Sequence, residues 1–214
     1  MNCIVTAGPT FEPLDDVRRL TNFSTGRLGT ELANFLTSRG HTVTLLIGES
    51  ATWPGERQAQ AVKVFSSTHD LLTKLKSFSR KKVDAIFHAA AVSDFTFGKM
   101  YLRDVNGDLA PFKPTKKIST RGGNLLVELV PTPKIIAQLR GWFPQTRIVG
   151  WKFEADGERA DALRAARKQI KDCSTNACVA NGPAYGQGFG IVTINGRKHF
   201  ADKDHLFVAL EKLI

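Results

Sequence analysis

Apolar and polar positions along the chain alternate as they do in buried strands separated by amphipathic helices. The first apolar run, Cys3-Ile4-Val5-Thr6, carries no polar alternation, as in a strand covered on both faces, and it stops at Ala7-Gly8-Pro9-Thr10. A long polar loop follows. From Thr25 the spacing predicts a helix, with Leu28, Leu32, Phe35 and Leu36 at i, i+4, i+7 and i+8 and Gly40 as its stop. A strand is expected at 43–47. Leu71, Leu72, Leu75 and Phe78 then mark a second helix, and 83–87 a third strand running into Ala89-Ala90-Ala91. Strands and helices in this order predict a parallel sheet joined by right-handed crossovers.

Between 99 and 130 the pattern changes to short extended pieces broken at Asn106-Gly107 and Gly122-Gly123, which predicts an antiparallel flap. The alternation then resumes. A helix is expected to start near Pro133, with a strand at 146–149, a helix at 158–171 and a strand at 177–180. A hairpin through Asn195-Gly196 and a helix from Asp204, with Leu206, Leu210 and Leu213 on one side, complete the pattern. The expected architecture is α/β and Rossmann-like: a three-layer, doubly wound, mostly parallel sheet with an inserted antiparallel flap, forming one domain over 1–214.

Composition narrows the function classes. A length of 214 residues suits one large domain, and 42% hydrophobic with 23% charged residues excludes wholesale disorder, collagen and coiled coil. No apolar run reaches the roughly 18 residues of a membrane span, and the chain enters its first strand without a charged leader. A cytoplasmic protein without a membrane partner is expected. Cys3, Cys173 and Cys178 form no Cys-x-x-Cys pair, so they read as buried thiols and not as a disulfide or zinc framework. The formal charge of +10 draws anions into clefts. Its basic residues are scattered, with short clusters at 80–82, 113–117 and 164–171 and no long run of like charge, which favours nucleotides or phosphorylated metabolites over nucleic acid.

In a doubly wound sheet, ligands sit beyond the carboxyl ends of the strands, here the loops after Thr6, Phe87, Val149 and Ala180. The first of these loops lacks both G-x-G-x-x-G and the Walker sequence, so neither common phosphate fingerprint is present. Gly8, Ser24, Thr25 and Gly26 nevertheless lead into a helix N-terminus, where free N–H groups can meet a phosphate or carboxylate. Ser24 or Thr25 could equally do no more than cap that helix. Asn22 can hydrogen-bond a developing oxyanion without competing as nucleophile or base.

The order Thr6-Ala7-Gly8-Pro9-Thr10-x-Glu12-Pro13-x-Asp15-x-Val17-Arg18-x-x-Thr21-Asn22-x-Ser24-x-Gly26-x-x-Gly29, followed by Ala89-Ala90-Ala91-Val92-Ser93-Asp94, closely resembles the phosphopantothenate–cysteine ligase family, in its free-standing form. The resemblance continues through Lys117-Ile118, Leu125 to Pro133, Val149-Gly150-Trp151-x-x-Glu154 and Val179-Ala180-Asn181, and so covers nearly the whole chain. It implies ligation of 4′-phosphopantothenate to L-cysteine in coenzyme A biosynthesis, through an acyl-nucleotidylate. CTP or ATP with Mg²⁺ would be the cosubstrate, and no FMN would be carried. It also implies a homodimer whose flap helps to cover the partner's site.

Carried over residue by residue, the resemblance places Asn22 at the acyl intermediate and Lys117, the first lysine of the flap, at phosphate. It places Gly8, Ser24, Gly26, His88, Ala89, Ala90 and Asp94 along the nucleotide. Pro133, Lys134, Ile135 and Ile136 fall in a further nucleotide segment, and Trp151 stands where the family has a Phe near the base. Arg167 and Lys171, with Lys168 beside them, have the spacing of two lysines that contact nucleotide on the following helix. The chain departs from the family at Ser119 and Thr120, which replace flap lysines, at Lys134, which replaces an Asp, and at Trp151. These departures cluster around the nucleotide, and they leave the CTP or ATP preference and the metal ligands undecided. Two other readings stay open: a nucleotide-binding relative that has lost the chemistry, and an NAD(P)-dependent reductase. The missing glycine fingerprint and the lack of a Tyr-x-x-x-Lys pair count against the reductase.

Overall fold

The apolar run at the start of the chain lies in the middle of a large sheet. A computed structural model describes residues 1–113, 116–119 and 123–214. β1 (Asn2–Ala7) is flanked on one side by β4 (Thr42–Gly48) and β5 (Ala61–Phe65). On the other side lie β6 (Ala85–His88), β10 (Arg147–Phe153), β11 (Ala177–Asn181), β12 (Phe189–Thr193) and β13 (Gly196–Phe200). The order is β13-β12-β11-β10-β6-β1-β4-β5; neighbours from β11 to β5 are parallel, and β12 and β13 are antiparallel. The order reverses at β1, because the chain first leaves it toward β4 and later returns on its other side as β6. This is the switch point where doubly wound sheets open a crevice.

Helices cover both faces. Cys3, Val5 and Ala7 pack with Leu32 and Leu36 of α1 (Arg27–Ser38) and with Leu206, Phe207 and Leu210 of α5 (Lys203–Glu211). Ile4, Ile86 and Ile148 face the other way, toward Leu71 and Leu75 of α2 (Thr68–Lys76) and Ile135, Ile136 and Leu139 of α3 (Ile135–Trp142). α4 (Arg159–Cys173) covers Cys178, Ala180 and Val192 on that same face through Ala162, Leu163 and Ala166. Alternate residues of β1 therefore serve two separate cores, which is why its sequence shows no polar alternation. The three-layer, mostly parallel sheet expected from the sequence is the one observed.

Between β6 and α3 the chain leaves the sheet as β7 (Phe95–Arg103), β8 (Leu109–Phe112) and β9 (Asn124–Pro131), which pair antiparallel in the order β8-β7-β9. This flap is wider than the expected 99–130. Its first turn forms where Asn106-Gly107 predicts it, with Gly107 at φ 93° and the Asp104 side chain accepting from Asn106 and Asp108 N–H. Gly122, expected in the second turn, lies outside the described residues.

Three expectations need correction. The long polar loop contains an antiparallel pair, β2 (Phe11–Pro13) with β3 (Arg19–Thr21), strands too short to show a period. β5 was not expected, because an edge strand whose Val62 and Val64 stay exposed lacks the buried run that marks the others. α1 begins at Arg27 behind Gly26, with no side-chain cap; Thr25 Oγ1 only accepts a long 3.3 Å bond from Arg27 N–H.

Candidate functional site

The carboxyl ends of β1 and β6 are sewn together. Ala89 N–H donates to Thr6 O, Ala91 N–H to Gly8 O and Thr10 N–H to Ala91 O, at 3.0–3.2 Å. Thr6 Oγ1 accepts from Ala90 N–H at 3.1 Å and lies 2.9 Å from His88 Nδ1. His88 is buried, and burial pushes its imidazole from 6.5 down to about 4, so it is neutral here at physiological pH. The small residues that follow it leave the strand end open to a close backbone approach by a ligand.

Glycines set the geometry of the crevice. Gly8 has φ 77°, and a Cβ there would meet Ala51 Cβ at 2.8 Å. Gly26 has φ 79°, and its Cβ would stand 3.3 Å from Gly8 Cα; a Cβ on Gly29 would stand 2.7 Å from Ala7 Cβ. One glycine for the tight turn, one at the helix N-terminus and one for close helix–strand packing do the work of the dinucleotide-binding glycine run. Here the β2–β3 hairpin separates the first from the other two, so the linear motif is absent while its geometry is kept. α1 has neither an acidic residue in its first turn nor a side-chain cap, so that turn suits an anion.

Asn22 follows β3 on the same edge. Its Nδ2 donates to Ala91 O at 3.2 Å, the carbonyl that also accepts from Thr10 N–H. Asn22 is exposed, so the carboxamide is fixed at one hydrogen and open to a ligand. Beneath it lies a platform that sequence reasoning missed. Thr10 Oγ1 accepts from Ser93 N–H at 2.8 Å, donates to Ser93 Oγ at 3.1 Å and lies 3.3 Å from Thr68 Oγ1. Glu12, 7% exposed, accepts from Thr68 N–H in the first turn of α2 and from Thr96 Oγ1 of β7. A buried carboxylate against a helix N-terminus is well placed electrostatically. Thr10 and Glu12 stand in the stretch that carries the family resemblance, but hydroxyl-to-hydroxyl bonds across about 60 to 80 residues leave no local signal.

Thr132 Oγ1 donates to Ser93 O and its N–H to Asp94 O, which brings Pro133 and Lys134 beside Asp94. Pro133 precedes the helix, with Lys134 as N-cap of α3. Ile135 and Ile136 are core residues, so only their backbone could meet a ligand. The flap also returns to this edge: Asp16 N–H donates to Lys116 O, Ile118 N–H to the Asp15 carboxylate and the Arg18 guanidinium to Ile118 O. Lys117 thus sits in a segment docked on the loop that leads to Asn22. The Arg18 guanidinium and the Ile118 N–H hold the Asp15 carboxyl well below the usual carboxylate range.

The structure therefore gathers Gly8, Asn22, Ser24, Gly26, His88, Ala89, Ala90, Asp94, Pro133, Lys134 and the backbone of Lys117 along one edge. Trp151 packs half-buried against the α1–α5 core, with an Nε1 that lacks a partner among the described residues. Arg167 and Lys171 are not brought to this edge. α4 runs back against the strands, and its second half lies beside Arg147 and Ala177, where β10 and β11 begin. Spacing put the two on one face but could not say which end of the sheet that face would meet. Lys168, on the neighbouring face, is paired with Asp172. Ser119 is described, and Thr120 lies outside the described residues. The three thiols are buried, with Cys3 pushed up to about 11 and Cys178 to about 12, so they hold no reactive thiolate.

Comparison with known proteins places this edge in context. The family model described as DNA/pantothenate metabolism flavoprotein C-terminal domain matches residues 1–206. The coenzyme A biosynthesis bifunctional protein CoaBC of Thermococcus kodakarensis is 35% identical over 203 residues, covering 94% of this chain and 46% of that protein. A solved DNA/pantothenate metabolism flavoprotein from Streptococcus pneumoniae superposes with a TM-score of 0.85 at 27% identity, covering 100% of this chain and 98% of that one. A Cab2 mutant solved in complex with phosphopantothenate-cysteine shares the fold, with a TM-score of 0.74 at 20% identity over 99% of this chain and 84% of that one. The chain spans about half the length of the curated relatives it matches. It belongs to the DNA/pantothenate metabolism flavoprotein C-terminal domain family.

Proposed function

We propose that this chain ligates 4′-phosphopantothenate to L-cysteine with a nucleoside triphosphate, as a single cytoplasmic ligase domain acting in a homodimer. In the first step a carboxylate oxygen of phosphopantothenate attacks the α-phosphorus, the bond to the β-phosphate bridge breaks, and pyrophosphate leaves. In the second the cysteine amine attacks the acyl carbon, the bond to the nucleotidyl oxygen breaks, and the amine gives up a proton as the nucleoside monophosphate departs.

Charge is the physical obstacle. Two unit charges at 4 Å repel by about 4 kcal/mol at the effective dielectric of a protein surface. Uncapped N–H groups of α1, the neutral Asn22 amide and the Lys117 segment of the flap offset that repulsion without themselves entering the bond changes. Asn22 is assigned to the acyl-nucleotidylate and the tetrahedral species after it. Gly8, Ser24, Gly26, His88, Ala89, Ala90, Asp94, Pro133 and Lys134 are assigned to the nucleotide. Among the described residues no three His, Cys, Asp or Glu side chains gather into a metal site. Mg²⁺ is assigned to the triphosphate, as part of the cosubstrate, because that ion is usually held largely by phosphate oxygens and water.

The observation that carries the proposal is the position of Asn22, an exposed neutral amide fixed to Ala91 O between the uncapped helix and the switch-point loop. Pyrophosphate release on mixing the protein with phosphopantothenate and CTP or ATP, cysteine omitted, tests it. About one equivalent per site is expected with one of the two nucleotides. No release with either would defeat the proposal and favour a binder that has lost the chemistry.

A further inference from the structure

The amino ends of the strands, opposite the crevice, border a half-open cleft of about 820 Å³. That volume lies in the range that takes a small-molecule ligand. Four cations line it from two elements and one turn: Arg147 opens β10, Arg167 and Lys171 stand one turn apart on α4, and Lys212 follows α5. No Asp or Glu lines it. None of the four makes an ion pair among the described residues, although Lys171 interacts electrostatically with the neighbouring Asp172, and all four are exposed. Arg140 nearby is held below the usual guanidinium range by burial and by the charge of Arg147.

A hydroxyl behind this surface is also left unpaired. Thr175, 6% exposed, stands in the wall of the same cleft; its Oγ1 is shielded from solvent and has no hydrogen-bond partner among the described residues, so it meets a ligand only if the side chain rotates about χ1. Buried hydroxyls are rarely left unpaired. Ile170 and Leu213 add an apolar wall. From this arrangement we infer a second anion site, separate from the crevice, that takes a small phosphorylated molecule with at least two negative charges and a short apolar body. Arg and Lys side by side suit phosphate oxygens, the guanidinium by its fork and the ammonium as a point charge. Four cations around a cleft of this volume suit a compact ligand; a nucleic acid would need a longer cationic stripe. The inference stands on this cavity alone and does not depend on the ligase assignment.

Titration of the ¹⁵N-labelled full chain with tripolyphosphate tests it. Saturable shifts are expected at the amides of Ser174, Thr175, Asn176, Thr193 and Asn195, beside a separate set at Gly8 and Ala89–Ala91 from the crevice. The double variant Arg167→Gln, Lys171→Gln should lose at least tenfold in affinity at the first set while keeping the second, which also shows that the variant is folded. Succinate at equal concentration should bind the first set more weakly than tripolyphosphate. Shifts confined to the crevice, shifts at the first set that the double variant leaves unchanged, equal binding of succinate, or tighter binding of a short oligonucleotide would each overturn the site.

Discussion

Asn22 is uncharged at every working pH, and its use in the proposed reaction depends on that. Replacing it with Asp keeps shape and size but sets a carboxylate against an anionic intermediate. Asn22→Asp is expected to slow product formation about 100-fold or more, the scale of losing one oxyanion donor, while nucleotide binding measured by calorimetry persists. Wild-type turnover in that variant would move the intermediate elsewhere. His88 gives a prediction with a defined sign. Its folded value of about 4 lies below its ordinary 6.5, so between these values the unfolded chain takes up a proton and the native one does not. Stability is retained above pH 6.5 and lost as pH falls toward 4, with a ceiling on the order of 3 kcal/mol. Urea unfolding at pH 7 and pH 5 should show a smaller drop for His88→Gln than for wild type; equal drops would mean that the imidazole is reached by water. That Asn22, Gly8 and Asp94 share one edge was legible because they stand in contiguous motifs at the carboxyl ends of β1 and β6. Thr10, Glu12 and Ser93 stand in the same motifs, but their joining into one platform was not legible, since hydroxyl and carboxylate bonds between distant loops carry no period or spacing.

Elements were legible wherever a buried face imposed a period. β1, β4 and β11 are apolar because both sides are covered, and α1 repeats Leu28, Leu32 and Leu36 because one stripe meets the sheet. β5 escaped because an edge strand answers to one neighbour only, and β2–β3 because three residues cannot show alternation. Two helical glycines separate packing from propensity. A Cβ on Gly29 would press on Ala7 Cβ at 2.7 Å and Thr6 O at 3.1 Å, whereas a Cβ on Gly141, exposed in α3, meets nothing within 4 Å. Gly29→Ala should cost about 1–3 kcal/mol by overpacking, and Gly141→Ala should gain about 0.5–1 kcal/mol from the restricted unfolded chain. Thermal unfolding of the two variants should shift in opposite directions. A stable Gly29→Ala would show that α1 can move off β1 freely, and the crevice geometry built on that contact would then be looser than described.

At the scale of the whole molecule, the flap links the crevice to its surroundings. It docks through Asp15, whose carboxylate accepts from Ile118 N–H and pairs with Arg18. Because that carboxyl is held below its ordinary range, the docking is fully present above about pH 4 and is lost only as pH falls below that value. Asp15→Asn removes the ion pair and should speed hydrogen exchange at the Ile118 amide and lower turnover, with the sheet amides unchanged; an unchanged Ile118 rate would mean that other contacts hold the flap. The strands of the flap also expose apolar side chains, Phe95 at 46% and Leu129 at 51%, and the paired register Phe95↔Pro131 and Phe97↔Leu129 sets both on one face. An uncovered apolar face on an exposed sheet marks an association surface, so the proposed homodimer should cover it with the flap of a second copy. Light scattering at micromolar concentration should give twice the mass of one chain for wild type and a single mass for Leu129→Lys. If the flap helps to complete the partner's site, the monomeric variant should also lose turnover, with the sheet amides unperturbed. A monomeric wild type, or a Leu129→Lys variant that remains a dimer, would place the contact between copies on another surface.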